Sequence, residues 1–342
     1  MALITEGKAK LNISKAKVVS RRMPVFYNPV MELNRTISVL VLNSAPKRNM
    51  QIALPLAGSG IRGIRFLKEL RRGKVKSISF NDYDVEAAEA IRGNLRLNNI
   101  PEKKANVSNH DANLFLLNSS GFDYIDIDPF GSPNPYLDST VKRISRGGII
   151  AVTATDTSAL SGTYPKACLR KYWALPLRNE LMHEIGLRIL IRKCQLIGAQ
   201  FDKSLLPVFS YSKDHYMRIF FKCKKGKERV DRSMKQHGCY SESGPMWLGR
   251  LWDEELVSRM HKSSSGIRLL ETIRSESKID TVGFYHIPSF VKRNRLGKMP
   301  KQDRIISGIR KKGYKASLTH FKENSLRSDI SEKKLAGIIK KL

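Results

Sequence analysis

The chain has 342 residues, enough for two domains and a large core, and its 62 lysines and arginines outnumber 31 aspartates and glutamates for a formal net charge of +31. Such an excess repels itself unless an anionic partner is met, and nucleic acid is the commonest one. A membrane surface is the rival, but no apolar run approaches the roughly 20 residues that a spanning helix needs.

In chain order, MALITEGKAKLNI lacks the apolar core of a signal peptide, and GKAKLNI alternates as a strand does. Residues 1–30 read as an extended lead-in. PVFYNP (Pro24 to Pro29) is bracketed by prolines that forbid a helix. Its Phe26, Tyr27 and Asn28 either wall a pocket or belong to an arm packed across the surface. From Met31 to Asn43 a helix is predicted with Leu33, Ile37, Leu40 and Val41 on one face; Arg35, on another face, reads by default as a solvated arginine.

The run from Ile52 to Ala57 is a short strand followed at once by Gly58-Ser59-Gly60-Ile61-Arg62-Gly63, a complete G-x-G-x-x-G before a helix expected from Ile64 to Leu70. Glycines there permit a tight turn and close approach of backbone to a ligand at the helix N-terminus. The next strand, Ser77 to Phe80, leads to Asn81-Asp82, so an acid follows the last glycine by 19 residues. At a second strand's tip an acid is placed to bind a ribose hydroxyl pair. The combination fits a nucleoside cofactor, either NAD or S-adenosylmethionine. Asp84 then caps a helix with Ala88, Ile91 and Leu95 inward. A third strand, Asn106 to Ser108, ends in Asn109-His110-Asp111-Ala112-Asn113. Asp111 is either placed to meet an adenine amino group, with Ala112 leaving room beside the ring, or is the N-cap of the following turn.

The stretch around which the chain is organised is FDYIDIDPFGSP, residues 122–133. Phe122, Tyr124, Ile125 and Ile127 read as a buried strand that stops at Asp128-Pro129-Phe130-Gly131, because proline has no N–H for the ladder. The Asp128 carboxylate is thereby left at a strand's C-terminal edge, where open α/β sheets bind ligands. An acid, a carbonyl held by proline and a flat ring suit the gripping of an exocyclic amino group on a planar base. Asp128 and the carbonyl of Asp128 or Pro129 accept its two N–H bonds, and Phe130 offers a stacking face. The plainer alternative is an Asp-Pro-x-Gly turn with Phe130 in the core.

A fifth strand from Gly148 to Thr153, an amphipathic helix from about Asn179 to Leu196, and strands Leu205 to Tyr211 and Tyr216 to Lys224 follow. The last two are joined by Ser212-Lys213-Asp214-His215 as a hairpin. A parallel sheet that finishes in a hairpin is the outline of a class I methyltransferase, by analogy of fold alone. From about residue 225 basic clusters recur (KCKKGKERVDR, VKRNRLGK, RKKGYK), and residues 301–342 hold twelve Lys/Arg against four Asp/Glu. Helices are expected at Ile267 to Glu276, Gln302 to Lys311 and Glu332 to Leu342, with a strand at Tyr314 to Thr319. That order is compatible with a winged-helix-like module whose cations meet RNA phosphates. His286 and His320 are isolated and read as structural. Four scattered cysteines (Cys168, Cys194, Cys223, Cys239), none in a C-x-x-C pair, argue against a zinc cluster or a disulfide framework and for an intracellular protein with reduced thiols.

PVFYNPVMELNR, GSGIRGIRF, ND, NHDAN, DIDPFGSP, CLRKYWALPLRNELMHEIGLRIL, KDHY, GPMWLG and a C-terminal THF together resemble the tRNA (guanine-26-N2)-dimethyltransferase family in its compact archaeal form, from Gly7 to about Phe321. The resemblance implies that Arg35, Arg62, Asp82, Asp111 and Ala112 contact S-adenosylmethionine beside the loop of Gly58 and Gly60. It also implies that Asp128, Pro129 and Phe130 hold the target guanine. It further implies a class I S-adenosylmethionine-dependent methyltransferase domain, a doubly wound α/β sheet with a terminal hairpin, over residues 1–224, and a smaller basic α+β domain that binds tRNA over 225–342. A cytoplasmic monomer without a metal is expected. One departure is that the family's usual acid in the strand before the glycine loop is missing, since that run is IALPLA. Two other readings compete. An NAD-dependent oxidoreductase would use GSGIRG and Asp82 but leaves Asp128-Pro129-Phe130 and the charge unexplained. A non-catalytic RNA-binding protein sits poorly with a full set of motif residues.

Overall fold

The computed structural model describes residues 2–13, 27–264, 266–297 and 299–342, so Phe26 lies outside the described residues. Of the lead-in, residues 2–13 form a hairpin, while 14–26 lie outside the described residues: β1 (Ala2–Glu6) and β2 (Ala9–Ile13) pair antiparallel about Gly7, whose φ of +56° suits the turn. After α1 (Glu32–Ser44) come β3 (Met50–Leu54), α2 (Ile61–Glu69), β4 (Val75–Asn81), α3 (Val85–Leu97), β5 (Ala105–Ser108), α4 (Ala112–Leu117), β6 (Phe122–Ile127), α5 (Leu137–Arg143) and β7 (Ile144–Ala154). Then follow α6 (Thr157–Leu160), α7 (Pro165–Tyr172), α8 (Met182–Ala199), β8 (Lys203–Lys213) and β9 (Tyr216–Lys225), with Asp214 left-handed in the hairpin turn at φ +49°.

β3 to β9 make one sheet in the order β5-β4-β3-β6-β7-β9-β8. β3 pairs in parallel with both β4 and β6, and β6 with β7. The strand order therefore reverses between β3 and β6, the switch point at whose C-terminal edge a crevice opens. Ile52, Ile78, Phe80, Tyr124, Ile125, Ile127, Ile150 and Val152 are buried along it. Each such side chain contributes roughly 1.5–3 kcal/mol on leaving water.

The helix expected to start at Ile64 begins three residues earlier. Gly60, left-handed at φ +78°, turns the chain into it, and Gly63 lies in its first turn, where a Cβ would stand 2.2 Å from the Phe80 ring. The last glycine of the motif is thus a helix–strand contact rather than loop. Arg35, read by default as solvated, is buried at the Glu6 carboxylate.

The remainder comprises α9 (Lys227–Met234), β10 (His237–Tyr240), β11 (Ser243–Trp247), α10 (Glu254–Lys262), α11 (Arg268–Glu276), β12 (Tyr285–His286), α12 (Ile287–Arg293), α13 (Gln302–Lys311), β13 (Ala316–Leu318), β14 (Ser325–Ser328) and α14 (Glu332–Ile339). The expected helices α11, α13 and α14 and strand β13 are present. The pairing of β10 with β11 and the three-stranded antiparallel sheet β12-β14-β13 were not foreseen. Ile287, Phe290, Ile305, Ile309, Leu326 and Leu335 belong to a core of their own.

Two compact units interleave along the chain: 1–156, 194–206 and 218–233 form one, and 157–193, 207–217 and 234–342 the other. A cut after Lys224, the boundary suggested by composition, falls within the first unit's last segment.

Candidate active site

The tips of β3, β4 and β5 are tied together by side chains that the sequence places just past each strand. Asn81 donates from Nδ2 to the carbonyls of Pro55 (3.0 Å) and His110 (2.9 Å) and accepts from the His110 N–H. Asp82 accepts from the Gly58 N–H at 2.7 Å and from the Asp84 N–H at 3.2 Å. The candidate ribose acid thus already holds the glycine loop in place. Burial pushes its carboxyl up, against the pull of those two N–H groups. Asp111 accepts from the N–H groups of Asn113 (2.9 Å) and Leu114 (3.1 Å), so it is the N-cap of α4, with Ala112 buried behind it.

β6 ends at Ile127 and delivers Asp128 to the same edge. Its Oδ2 is ion-paired to Nη2 of Arg62, the arginine of the glycine motif. A candidate cofactor residue and the candidate base-gripping acid are therefore in direct contact. Arg62 Nη1 donates to Asn34 Oδ1 (2.8 Å) and Ser38 Oγ (2.9 Å) and lies 3.5 Å from Asp126 Oδ2. Arg218, fully buried on β9, grips both oxygens of Asp126 at 2.8 and 2.7 Å and also reaches Thr153 Oγ1 at 2.8 Å. The Tyr124 hydroxyl donates to Asp126 Oδ2 at 2.5 Å. Burial pushes the Asp126 carboxyl up, but Arg218 and Arg62 outweigh it and hold it below the usual range. Burial and Asp126 push the Tyr124 hydroxyl well up, so it stays protonated as a donor.

The loop that follows is clasped by Thr155 at the end of β7. The Gly131 N–H donates to Thr155 Oγ1 at 2.6 Å, and the Thr155 N–H to the Gly131 carbonyl at 3.0 Å. Pro129 is buried. Phe130 is 47% exposed, which overturns the alternative that its ring is core.

Of the residues expected from sequence, the structure joins Gly58 to Asp82 and Arg62 to Asp128. Arg35 is joined instead to the N-terminal hairpin. It donates from Nε to Glu6 Oε1 (2.7 Å) and from Nη2 to Glu6 Oε2 and the Asn28 carbonyl, with the Tyr27 ring 5.3 Å from its guanidinium carbon. Arg65 shares Glu6 at 2.9 Å. Asp126, Arg218, Tyr124, Asn34, Ser38 and Thr155 were missed. The available signal was an acid inside the buried run DYIDI and an arginine inside YMRIFF, since a charge in a strand buried on both faces must be paired. Among the described residues, no group of three His, Cys, Asp or Glu is placed to hold a metal ion, and no helix is long and apolar enough to cross a membrane.

The site also fits the cofactor chemically. Among the described residues, Asn34 Nδ2 and Ser59 Oγ are buried with no hydrogen-bond partner; the first belongs to the side chain holding Arg62 and the second to the glycine loop. A zwitterionic amino-acid moiety satisfies such groups.

The model of the N2,N2-dimethylguanosine tRNA methyltransferase family matches residues 7–242 and 237–340. A tRNA (guanine(26)-N(2)/guanine(27)-N(2))-dimethyltransferase of Aquifex aeolicus is 38% identical over 97% of this chain and 94% of its own length. A tRNA (guanine(26)-N(2))-dimethyltransferase of Methanobrevibacter smithii is 36% identical over 99% of this chain and 97% of its own. The solved structure of Trm1 from Pyrococcus horikoshii in complex with S-adenosyl-L-methionine superposes with a TM-score of 0.90 at 34% identity, over 99% of each chain. The matched residues span the glycine loop, the strand-tip acids and Asp128-Pro129-Phe130, and the chain belongs to the N2,N2-dimethylguanosine tRNA methyltransferase family.

Proposed function

We propose that this protein transfers one or two methyl groups from S-adenosylmethionine to the exocyclic N2 of the guanosine at position 26 of tRNA, the nucleotide named for its relatives. The observation that carries the reading is the acid Asp128 at the sheet's switch point, paired through Oδ2 to the glycine-motif arginine, with an exposed ring two residues on. Gly58 and Gly60 line the cofactor's place, Asp82 holds its ribose, Asp111 and Ala112 its adenine, and Arg62 its amino-acid end, with Arg35 held back at Glu6. When bound, the cofactor supplies a sulfonium methyl.

Guanine N2 is a poor nucleophile because its lone pair is delocalised into the ring. Asp128 and the carbonyl of Asp128 or Pro129 accept its two N–H bonds, favouring the tetrahedral nitrogen that attacks, and Asp128 takes the released proton. Positioning is the larger contribution. One N–H remains after the first methyl and permits a second round. A paired guanine must leave its stack at a cost of a few kcal/mol, which Phe130 offsets in part by stacking.

The basic region 225–342 is the proposed tRNA-binding domain. The order α11, β12, α12, α13, β13, β14 supports the winged-helix reading. Among its cations, Lys311 and Lys312 are exposed at the end of α13, whereas Arg310 donates to the Ala316 carbonyl. We read the enzyme as cytoplasmic and monomeric.

The test is methyl transfer from labelled S-adenosylmethionine to an unmodified tRNA transcript and to one carrying adenosine at position 26. Incorporation into the first alone is expected. Equal incorporation into both would sink the position, and none into either, with heat released on adding NAD in a calorimeter, would sink the reaction.

A further inference from the structure

Residues 157–179 carry Lys166, Arg170, Lys171 and Arg178 and no acid. Within them α7 buries Cys168 and Tyr172 and exposes the opposite face. Lys166 stands three and four residues before Leu169 and Arg170, and Trp173 four and three after them, the spacings that share one helix face. Trp173 closes the helix as its C-cap in the left-handed region, at φ +57°. Glycine or asparagine is the ordinary residue there, and a bulky side chain at positive φ is an outlier that asks for a use. Its ring is 46% exposed, although the Lys193 ammonium stands 2.9 Å from the ring centroid. Tyr164, just before the helix, is 61% exposed.

We propose that this face, residues 164–178, is a second RNA-contacting surface. Tyr164 and Trp173 each stack on an unpaired base of the tRNA, while Lys166, Arg170 and Arg178 take the flanking phosphates. The inference rests on the tRNA reading above and places nucleotide contacts outside the basic region 225–342. Exposed rings interleaved with cations and free of acids are what single-stranded segments need: a π-face that accepts any base, and charge along the backbone. A lipid surface fits less well, because a two-turn helix whose other face is already buried offers it little apolar area.

Full-length protein carrying Tyr164→Ala, Trp173→Ala, Trp173→Phe or Arg170→Ala is compared with the unaltered chain by filter binding of unmodified tRNA at several salt concentrations. Calorimetry with S-adenosylmethionine and thermal melting serve as controls. Each aromatic-to-alanine change should weaken tRNA binding by about 5- to 100-fold, the loss of one stack, with the salt slope unchanged. Trp173→Phe should recover most of that affinity, and Arg170→Ala should flatten the slope by roughly 0.7–0.9. Cofactor affinity should stay as it was. Should Trp173→Ala melt early, Tyr164→Ala carries the test, because its ring is mostly in solvent. Variants that bind tRNA as the unaltered chain does overturn this proposal alone, whereas an unaltered chain that fails to bind tRNA overturns the functional reading with it. Sedimentation with anionic vesicles that depends on Trp173, alongside unchanged tRNA affinity, also overturns it.

Discussion

Arg218 in the first unit and Arg327 in the second are both fully buried, and each is the centre of a cluster of charges. Arg218 holds Asp126, which lies beside Arg62, which in turn holds Asp128. Arg327 bridges Glu184 (2.7 Å) and Glu276 (3.0 Å); Arg188 shares Glu184 at 2.9 Å, and His320 donates from Nδ1 to Glu276 Oε2 at 2.7 Å. Taking an ion out of water costs several kcal/mol even after relaxation, and in both clusters paired charges and hydrogen bonds offset that cost. The difference lies in how they end. The second closes on itself, with Arg188 donating its remaining bonds to the carbonyls of Trp247, Gly249 and Thr281. The first runs outward to a carboxylate that is 19% exposed at the sheet edge. A closed network fixes a fold, while an open one presents an oriented acid to a ligand.

Two substitutions test that contrast directly. Asp128→Ala should cut methyl transfer by about 10²- to 10⁴-fold, with cofactor affinity within a few fold and little change in melting temperature. Arg62 keeps Asn34, Ser38 and Asp126 as partners when Asp128 is gone. Glu184→Ala should do the reverse. It strands Arg188 and Arg327 in the interior and should remove about 3–5 kcal/mol of stability by denaturant titration, with turnover per folded molecule preserved. If Asp128→Ala unfolds the protein while Glu184→Ala leaves it stable, the two clusters have been assigned the wrong way round.

A smaller effect follows from acidification. Burial pushes the Glu276 carboxyl up, but His320 and Arg327 outweigh it and hold it down to about 2, against an ordinary 4.5. A carboxyl lowered by folding stabilises above its unfolded pKa, and that stability is lost as pH falls from about 4.5 towards 2. At neutral pH it amounts to about 3 kcal/mol. Melting curves of the unaltered chain and Glu276→Gln should therefore differ most above pH 5 and draw together as the pH falls from about 4.5 towards 2. A constant gap across that range would mean that Glu276 is not the acid-labile member.

Much of this architecture was legible in the sequence, and the exceptions share a cause. Strand tips, the glycine loop, the stop at Asp128-Pro129 and the Asp214 turn are local signals, carried by residues within a few positions of one another. Arg35 was misread because its partner, Glu6, lies 29 residues back on a hairpin that also was not foreseen. Arg218 and Asp126 are 92 residues apart, and each reads alone as an oddity in an apolar run. His320, isolated in sequence, is structural as expected, but through an acid 44 residues away. Gly63 was counted as loop because its reason, the Phe80 ring, sits on the next strand. Periodicity reports the burial of a face; it does not report which buried charge meets which.

The smallest predicted effect tests whether the open cluster's precision extends into the loop beyond it. Gly131, left-handed at φ +93°, donates its N–H to Thr155 Oγ1, and Thr155→Val removes that acceptor while keeping the side chain's shape and its own backbone bond to Gly131. Thr155 is exposed, so water replaces part of the loss, and the net cost is about 1 kcal/mol. Because the bond restrains the residue next to Phe130, the loss should appear in the chemistry. We expect kcat/KM for tRNA to fall by roughly 2- to 10-fold, with cofactor affinity unchanged and the melting temperature lowered by at most a few degrees. The matching change in the closed cluster is Thr319→Val, which takes a hydroxyl from Glu276 in the interior. It should lower the melting temperature and leave kcat/KM as it was. If Thr155→Val leaves kcat/KM untouched, Pro129 and the remaining backbone bond suffice to aim the ring, and the open network ends at Asp128.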